Sequence, residues 1–268
     1  MATNERSWLD NPALREYDGP LEREEGTFSV AGTAIKTLFL LVILACTFGY
    51  AWTVATAGYS EAFAAETVEG KLPDSIPISA AAIPLILGGC LGGFVVAMII
   101  IFFQRSAPYL SPIYAALEGL ALGGISAAFE AQYPGIVLET VGSTFGVFLG
   151  MLVLFLTGIV RPTARFHAML LAALFGIVAL YLVDNIMILF GSYVPVVHSN
   201  GPWGIALQVA IVGVASFCLI SDFGQISDAA ESRAPKWYEW YAGFSLLVTL
   251  VWLYLEILRL YAKLKSKD

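Results

Sequence analysis

Ile78-SAAAIPLILGGCLGGFVVAMIIIF-Phe103 carries no charged side chain, and it is longer than the ~20 apolar residues a helix needs to cross the hydrocarbon core of a bilayer. Six further stretches have the same character: Ile35 to Ala57, Ile113 to Ala131, Ile136 to Val160, Ala168 to Phe190, Gly204 to Ser221, and Tyr241 to Tyr261. The breaks between them are Lys71-Leu-Pro-Asp, Arg105-Ser-Ala-Pro, Gln132-Tyr-Pro-Gly, Arg161-Pro-Thr-Ala-Arg, Gly191 to Trp203, and Asp228 to Glu239. Their Pro, Gly and polar residues suit connectors at a membrane surface. The pattern predicts an all-α membrane protein, with a seven-helix transmembrane domain over residues 34–262. An acidic polar tail, 1–33, precedes it, and a short basic tail, 263–268, follows.

Composition leads to the same conclusion. The chain is 58% hydrophobic and 13% charged with a mean hydropathy of +0.77, whereas soluble domains carry about a quarter charged residues. A soluble enzyme is therefore excluded. The net charge of −7 is weighted by acids between Glu5 and Glu25, and no basic stripe of the kind that binds nucleic acid is present. Cys46, Cys90 and Cys218 fall in separate apolar runs, which gives neither a metal-binding spacing nor a disulfide framework. They read as buried spectator thiols. The first 33 residues lack the basic start and short apolar core of a signal peptide, so the first helix is expected to remain as an anchor.

Lys and Arg in short loops set orientation, because cytoplasmic loops retain positive charge. With a cytoplasmic N-terminus, Arg6, Arg15, Arg23, Lys36, Arg105, Arg161, Arg165, Arg233 and Lys236 lie inside and Lys71 alone lies in an outside loop. After seven crossings Arg259, Lys263, Lys265 and Lys267 fall outside. That conflict leaves six crossings and a re-entrant last segment as the alternative.

Helices in lipid associate where small residues let backbones approach. Gly88/Gly92 and Gly89/Gly93, Gly119/Gly123, and Gly142/Gly146/Gly150 have the required spacing. The reading favours a tight contact at Gly88/Gly92 and another at Gly119/Gly123. Ionisable groups within spans are costly and mark candidate sites: Glu118, Glu139, Asp184, Asp222 and Glu256, with Glu130 near a helix end. Glu130 and Asp184 read as hydrated near an interface, and Glu139 as favouring a helix N-terminus. Glu118, beside Gly119, points to a neighbouring helix and reads either as a structural hydrogen-bonding group or as part of a conduction path. No protease motif fits. His167 and His198 both fall in or beside loops, and Gly124-Ile-Ser126-Ala lacks the second glycine of an intramembrane serine site.

Three separated segments resemble the Bax inhibitor-1 family: Ala115-Ala-Leu-Glu-Gly-Leu-Ala-Leu-Gly-Gly-Ile-Ser126, then Tyr133-Pro-Gly-Ile-Val137 with Thr144-Phe-Gly-Val-Phe148, and Ala242-Gly-Phe-Ser-Leu-Leu-Val-Thr-Leu-Val-Trp-Leu-Tyr-Leu-Glu-Ile-Leu-Arg-Leu260. With Ile220-Ser-Asp222-Phe the likeness covers nearly all the chain beyond the tail, and it is strongest to the bacterial, YccA-like branch. The resemblance implies a bundle with the last helix central, in the cytoplasmic membrane of a bacterium. For some members it implies a pH-sensitive calcium leak controlled by two aspartates, on the sixth and seventh helices. Asp222 matches the first. The second falls on Thr249, so the acidic pair is broken.

Counting residues from the turn at Ala234-Pro235 puts Asp222 and Thr249 level, and Glu256, seven residues on, lies about 10 Å further along the same face. A hydroxyl donor and burial act in opposite senses on Asp222, so its titration is not fixed by sequence. Arg105 reads either as a latch on Asp222, as the resemblance implies, or as an ordinary positive-inside anchor. The expected site is thus Asp222, Thr249, Glu256 and Glu118, with at most a weak, transient calcium contact at Asp222, no other cofactor and no resident metal. Two functional readings follow: a cation leak, or a non-conducting regulator bound to a membrane AAA protease as YccA-like relatives are. A transporter finds less support, for want of an internal repeat.

Overall fold

The computed structural model describes residues 26–69 and 79–266. Seven of its helices are long and apolar enough to cross a membrane, and among the described residues there is no strand beyond an isolated bridge. In chain order the helices are α1 (Val30–Glu69), α2 (Ala82–Phe102), α3 (Ala107–Gln132), α4 (Ile136–Leu156), α5 (Ala164–Leu189), the short α6 (Pro195–His198), α7 (Pro202–Glu231) and α8 (Tyr238–Lys265). A single 3-10 turn, Gln104–Ser106, joins α2 to α3. The N-terminal tail through residue 25 and the Lys71-Leu-Pro-Asp break lie outside the described residues.

Several boundaries differ from expectation. α3 begins at Ala107 rather than Ile113, since Pro108 sits in the first turn where its missing N–H costs nothing, and Pro112 is carried inside the helix. α7 continues past its apolar stretch to Glu231, the extension that the count from Ala234-Pro235 assumes, and α8 reaches Lys265. Polar residues at these ends extend the helices beyond the apolar window that sequence can detect. α8 is unbroken over 28 residues, which rules out a re-entrant last segment.

Burial identifies the central element. Of the most apolar window of α8, 67% is buried, against 6% for α5 and 17% for α1 and α2. One face of α8 places Leu247, Val251, Tyr254 and Leu258 in a cluster with Leu40 of α1, Ile100 of α2 and Leu122 of α3. The other places Leu246, Leu253 and Ile257 against Met151 of α4 and Leu219 and Phe223 of α7. In lipid such packing must come from dispersion and interhelical hydrogen bonds rather than escape from water. Two hydroxyl pairs supply the latter: Ser126 with Tyr254 at 2.7 Å, and Ser143 with Tyr261 at 2.6 Å.

Glycine writes the α1–α2–α3 contacts, on a different register from the one favoured above. Gly119 and Gly123 face the backbone of α1 at Leu44 and Phe48. On α2 it is Gly89 that meets α3, where an added Cβ would lie 2.8 Å from Ala121 N, and Gly93 that faces Glu118. Gly88 has nothing within 4 Å, and Gly92 meets only the Leu117 side chain. Residues one apart on a helix point about 100° apart, so only one of the two overlapping pairs can face α3 squarely. Gly142, Gly146 and Gly150 have no neighbour within 4 Å among the described residues. Cys46 and Cys90 are exposed and only Cys218 is buried, because the apolar faces carrying the first two turn outward.

α1, α3, α5 and α8 start at one end of the bundle, called here the near end, while α2, α4 and α7 start at the far end. At the near end, Phe28 N–H donates to Ala234 O (2.9 Å), Thr27 bridges Pro235, and Phe28 packs on Ile226, Ala229 and Ala242. Buried Glu239 at the start of α8 accepts from the N–H and hydroxyl of Ser29 (2.9 and 3.0 Å) and pairs with Lys36. The residues preceding α1 are thereby strapped to the start of α8.

Candidate functional site

The seam between α7 and α8 holds two buried carboxylates at different depths. Asp222, 6% exposed, accepts from Thr249 Oγ1 (2.6 Å) and Ser245 Oγ (3.0 Å). Ser245 and Thr249 are one helical turn apart, so α8 presents both hydroxyls to the single acid of α7. A void of about 10 Å³, room for roughly one water, opens beside Asp222 between Gln225, Ile226, Tyr238, Tyr241, Ala242 and Ser245. The Thr249 hydroxyl meets this carboxylate as a donor.

Glu256 lies further along α8 and is 1% exposed. Its oxygens accept from Tyr181 (3.0 and 3.2 Å), Gln208 Nε2 (2.6 Å), Trp252 Nε1 (3.0 Å) and Arg259 Nη1 (3.0 Å). Gln208 also donates to the Glu256 carbonyl at 3.1 Å. The ion is thus buried with a cation and three neutral donors, the condition under which a charge inside a bundle is tolerable. Between the two acids the seam is filled by Ala215, Leu219 and Leu253, each 0% exposed, so no open passage joins them.

Beyond Glu256, at the far end, lies a cavity of about 620 Å³ whose lining mixes Phe129, Ile188 and Val197 with Tyr181, Asp184, His198, Gln208, Arg259 and Lys263. Asp184 is buried rather than hydrated: Val194 N–H donates to it at 2.9 Å, and His198 Nε2 lies 2.8 Å from its other oxygen. The α5–α7 connection folds back over it, which no periodic signal in that loop announces.

The remaining acids have local duties. Glu130 accepts from Gly135 N–H (2.6 Å) and Val137 N–H (3.0 Å) at the start of α4, where Gly135 takes φ +85°. Glu139 pairs with Lys265 at 3.0 Å. Glu118 lies away from the α7–α8 seam, with Tyr114 facing it one turn back. Arg105 is exposed in the 3-10 turn and forms no ion pair with Asp222, whose oxygens face Ser245 and Thr249 instead. Of the basic residues that conflict with the loop charges, Arg259 pairs with Glu256 and Lys265 with Glu139, while Lys263 donates to the carbonyl of Val197 and Lys267 lies outside the described residues. Among the described residues, no group of three or more His, Cys, Asp or Glu is placed to hold a metal.

The sequence model of the family described as Bax inhibitor 1 like matches residues 11–266. No curated protein and no solved structure matches significantly.

Proposed function

Since the chain belongs to the Bax inhibitor 1 like family, we propose that it is a cation leak pathway, calcium included, running along the α7–α8 seam, with Asp222 as gate and Glu256 as a second carboxylate nearer the far end. The observation that carries this reading is the pair of buried acids on one seam, one beside a small void and the other behind Tyr181, Gln208 and Arg259, which line the far-end cavity. Buried carboxylates in a span are expensive and are kept where ions or protons pass. The apolar plug at Leu219 and Leu253 makes the described arrangement the closed one, and opening requires α7 and α8 to part there. Arg105, Arg161, Arg165, Arg233 and Lys236 all belong to near-end turns, and this positive charge supports the reading that the near end, and the N-terminus with it, faces the cytoplasm of a bacterium.

The test is calcium flux from vesicles reconstituted with the protein alone, at two pH values. A single carboxylate cannot share a proton with a hydroxyl as it would with a second carboxylate. The leak should therefore respond to pH between about 6 and 8 less steeply than a coupled acid pair would. Thr249→Asp steepens the response, Asp222→Asn abolishes it, and Glu256→Gln changes mainly the rate. A steep response surviving Asp222→Asn removes Asp222 as gate. No flux, together with co-purification of a membrane AAA protease, replaces the leak by the regulator reading.

A further inference from the structure

We propose that the far-end cavity is a binding site for an oxyanion, a phosphate or carboxylate group held between Arg259 and Lys263. At about 620 Å³ it lies in the size range of small-molecule sites. The charge and hydrogen-bond accounting of its wall decides what it takes.

Both acids at the cavity are spent inward. Each oxygen of Asp184 is taken, by Val194 N–H and by His198, and each oxygen of Glu256 accepts at least two donors. Both side chains are buried, and Glu256 is not part of the cavity wall, so a cation entering here meets Asp184 alone, each of whose oxygens is already engaged.

The cations keep donors to spare. Lys263 Nζ donates to the carbonyls of Val197 (2.7 Å) and Gly204 (3.4 Å), both neutral, and has no carboxylate partner among the described residues. Arg259 is 45% exposed and uses only Nη1, toward Glu256 and Tyr181. Its Nε and Nη2 hydrogens have no partner among the described residues. The amides of Gln132 and Asn200 line the same space. A planar guanidinium fork with a lysine point charge beside it suits an oxyanion, and a partly buried lysine whose direct partners are neutral carbonyls gains from a directly bonded anion.

Two sources share this chemistry: the headgroup of an anionic phospholipid at the membrane surface, and a water-borne phosphate or carboxylate. On the leak reading, occupancy also has a consequence for the seam. The guanidinium that would hold the anion is the one that holds Glu256, so an anion competes with Glu256 for it. The binding claim itself does not need the protein to conduct.

The full chain is placed in nanodiscs of phosphatidylcholine and titrated with inorganic phosphate, and separately placed in discs containing phosphatidylglycerol. Melting temperature and tryptophan emission are read, since Trp252 donates to Glu256. A saturable rise in melting temperature with an emission change is expected in at least one arm; the phosphate arm alone assigns a water-borne ligand and the lipid arm alone a headgroup. Lys263→Gln should weaken that response roughly tenfold, the order expected for losing a close charge contact. Arg259→Lys, which keeps the charge toward Glu256 but loses the fork, should weaken it as well. No response in either arm, or one unchanged in Lys263→Gln, overturns the site. Because no flux is measured, this outcome is independent of whether the leak exists.

Discussion

Replacing Glu256 with Ala tests the most heavily bonded group in the bundle. The substitution removes acceptors from Tyr181, Trp252, Gln208 and Arg259. Gln208 retains the backbone carbonyl of residue 256 at 3.1 Å, so it is only partly orphaned. Trp252 Nε1 and the Tyr181 hydroxyl lose their acceptor, at about 1–3 kcal/mol for each donor left buried. A buried ion pair broken on one side costs about 3–5 kcal/mol, but Arg259 is 45% exposed toward the cavity and can take up water, so it contributes far less. The total is about 3–5 kcal/mol, or roughly 10 °C in melting temperature at about 2–4 °C per kcal/mol. Glu256→Gln keeps the volume and one acceptor, and the Tyr181 hydroxyl and Gln208 amide can reorient, so its loss should be about 1–2 kcal/mol. Thermal melting of purified protein in nanodiscs, followed by tryptophan emission, reads both. Wild-type melting within about 1 °C for Glu256→Ala would mean that the network contributes nothing, and the reasoning would fail.

Two further outcomes follow from packing and strapping. Gly89→Leu should lower folded yield and melting temperature sharply, because a Cβ added there would lie 2.8 Å from Ala121 N, whereas Gly88→Leu should be tolerated; equal effects in a melting assay would refute the register of α2 on α3. Glu239→Gln removes the pairing with Lys36 and weakens the acceptor for Ser29, so hydrogen exchange at the Ser29 amide should quicken about tenfold, a loss of about 1.4 kcal/mol, and an unchanged rate would show the strap to be held by other contacts.

The seven spans and the level placement of Asp222 and Thr249 were legible in the sequence for one reason: both depend on counting residues along helices and back from one turn. What α8 packs against was not, since hydropathy gives a helix's length and not its neighbours. The Glu256 network joins Tyr181 and Gln208, 75 and 48 residues away, and no local pattern connects them. Gly88/Gly92 and Gly89/Gly93 are indistinguishable as spacings, and only the seating of Gly89 on Ala121 selects between them. Asp184 was misread as hydrated because its cover comes from an irregular loop. Arg105 was placed at the right end of the bundle, but nothing in its neighbours' identities could show that Thr249 and Ser245 would occupy the acid instead.

The most enclosed helix, α8, is also the last of the described helices to leave the ribosome. Six spans therefore enter the bilayer around a slot that nothing yet fills. During that interval Asp222, Gln208 and Ser126 face it without the partners that α8 brings, a costly condition where no water is at hand to substitute. Phe28 and Ser29, ahead of all the described helices, wait for Ala234 and Glu239 at the start of the last one. Assembly of this bundle is consequently held open until α8 has been made, and it closes by joining the two extremes of the described chain. A nascent chain stalled before α8 would display polar groups within the membrane, a signature that a membrane quality-control system could read.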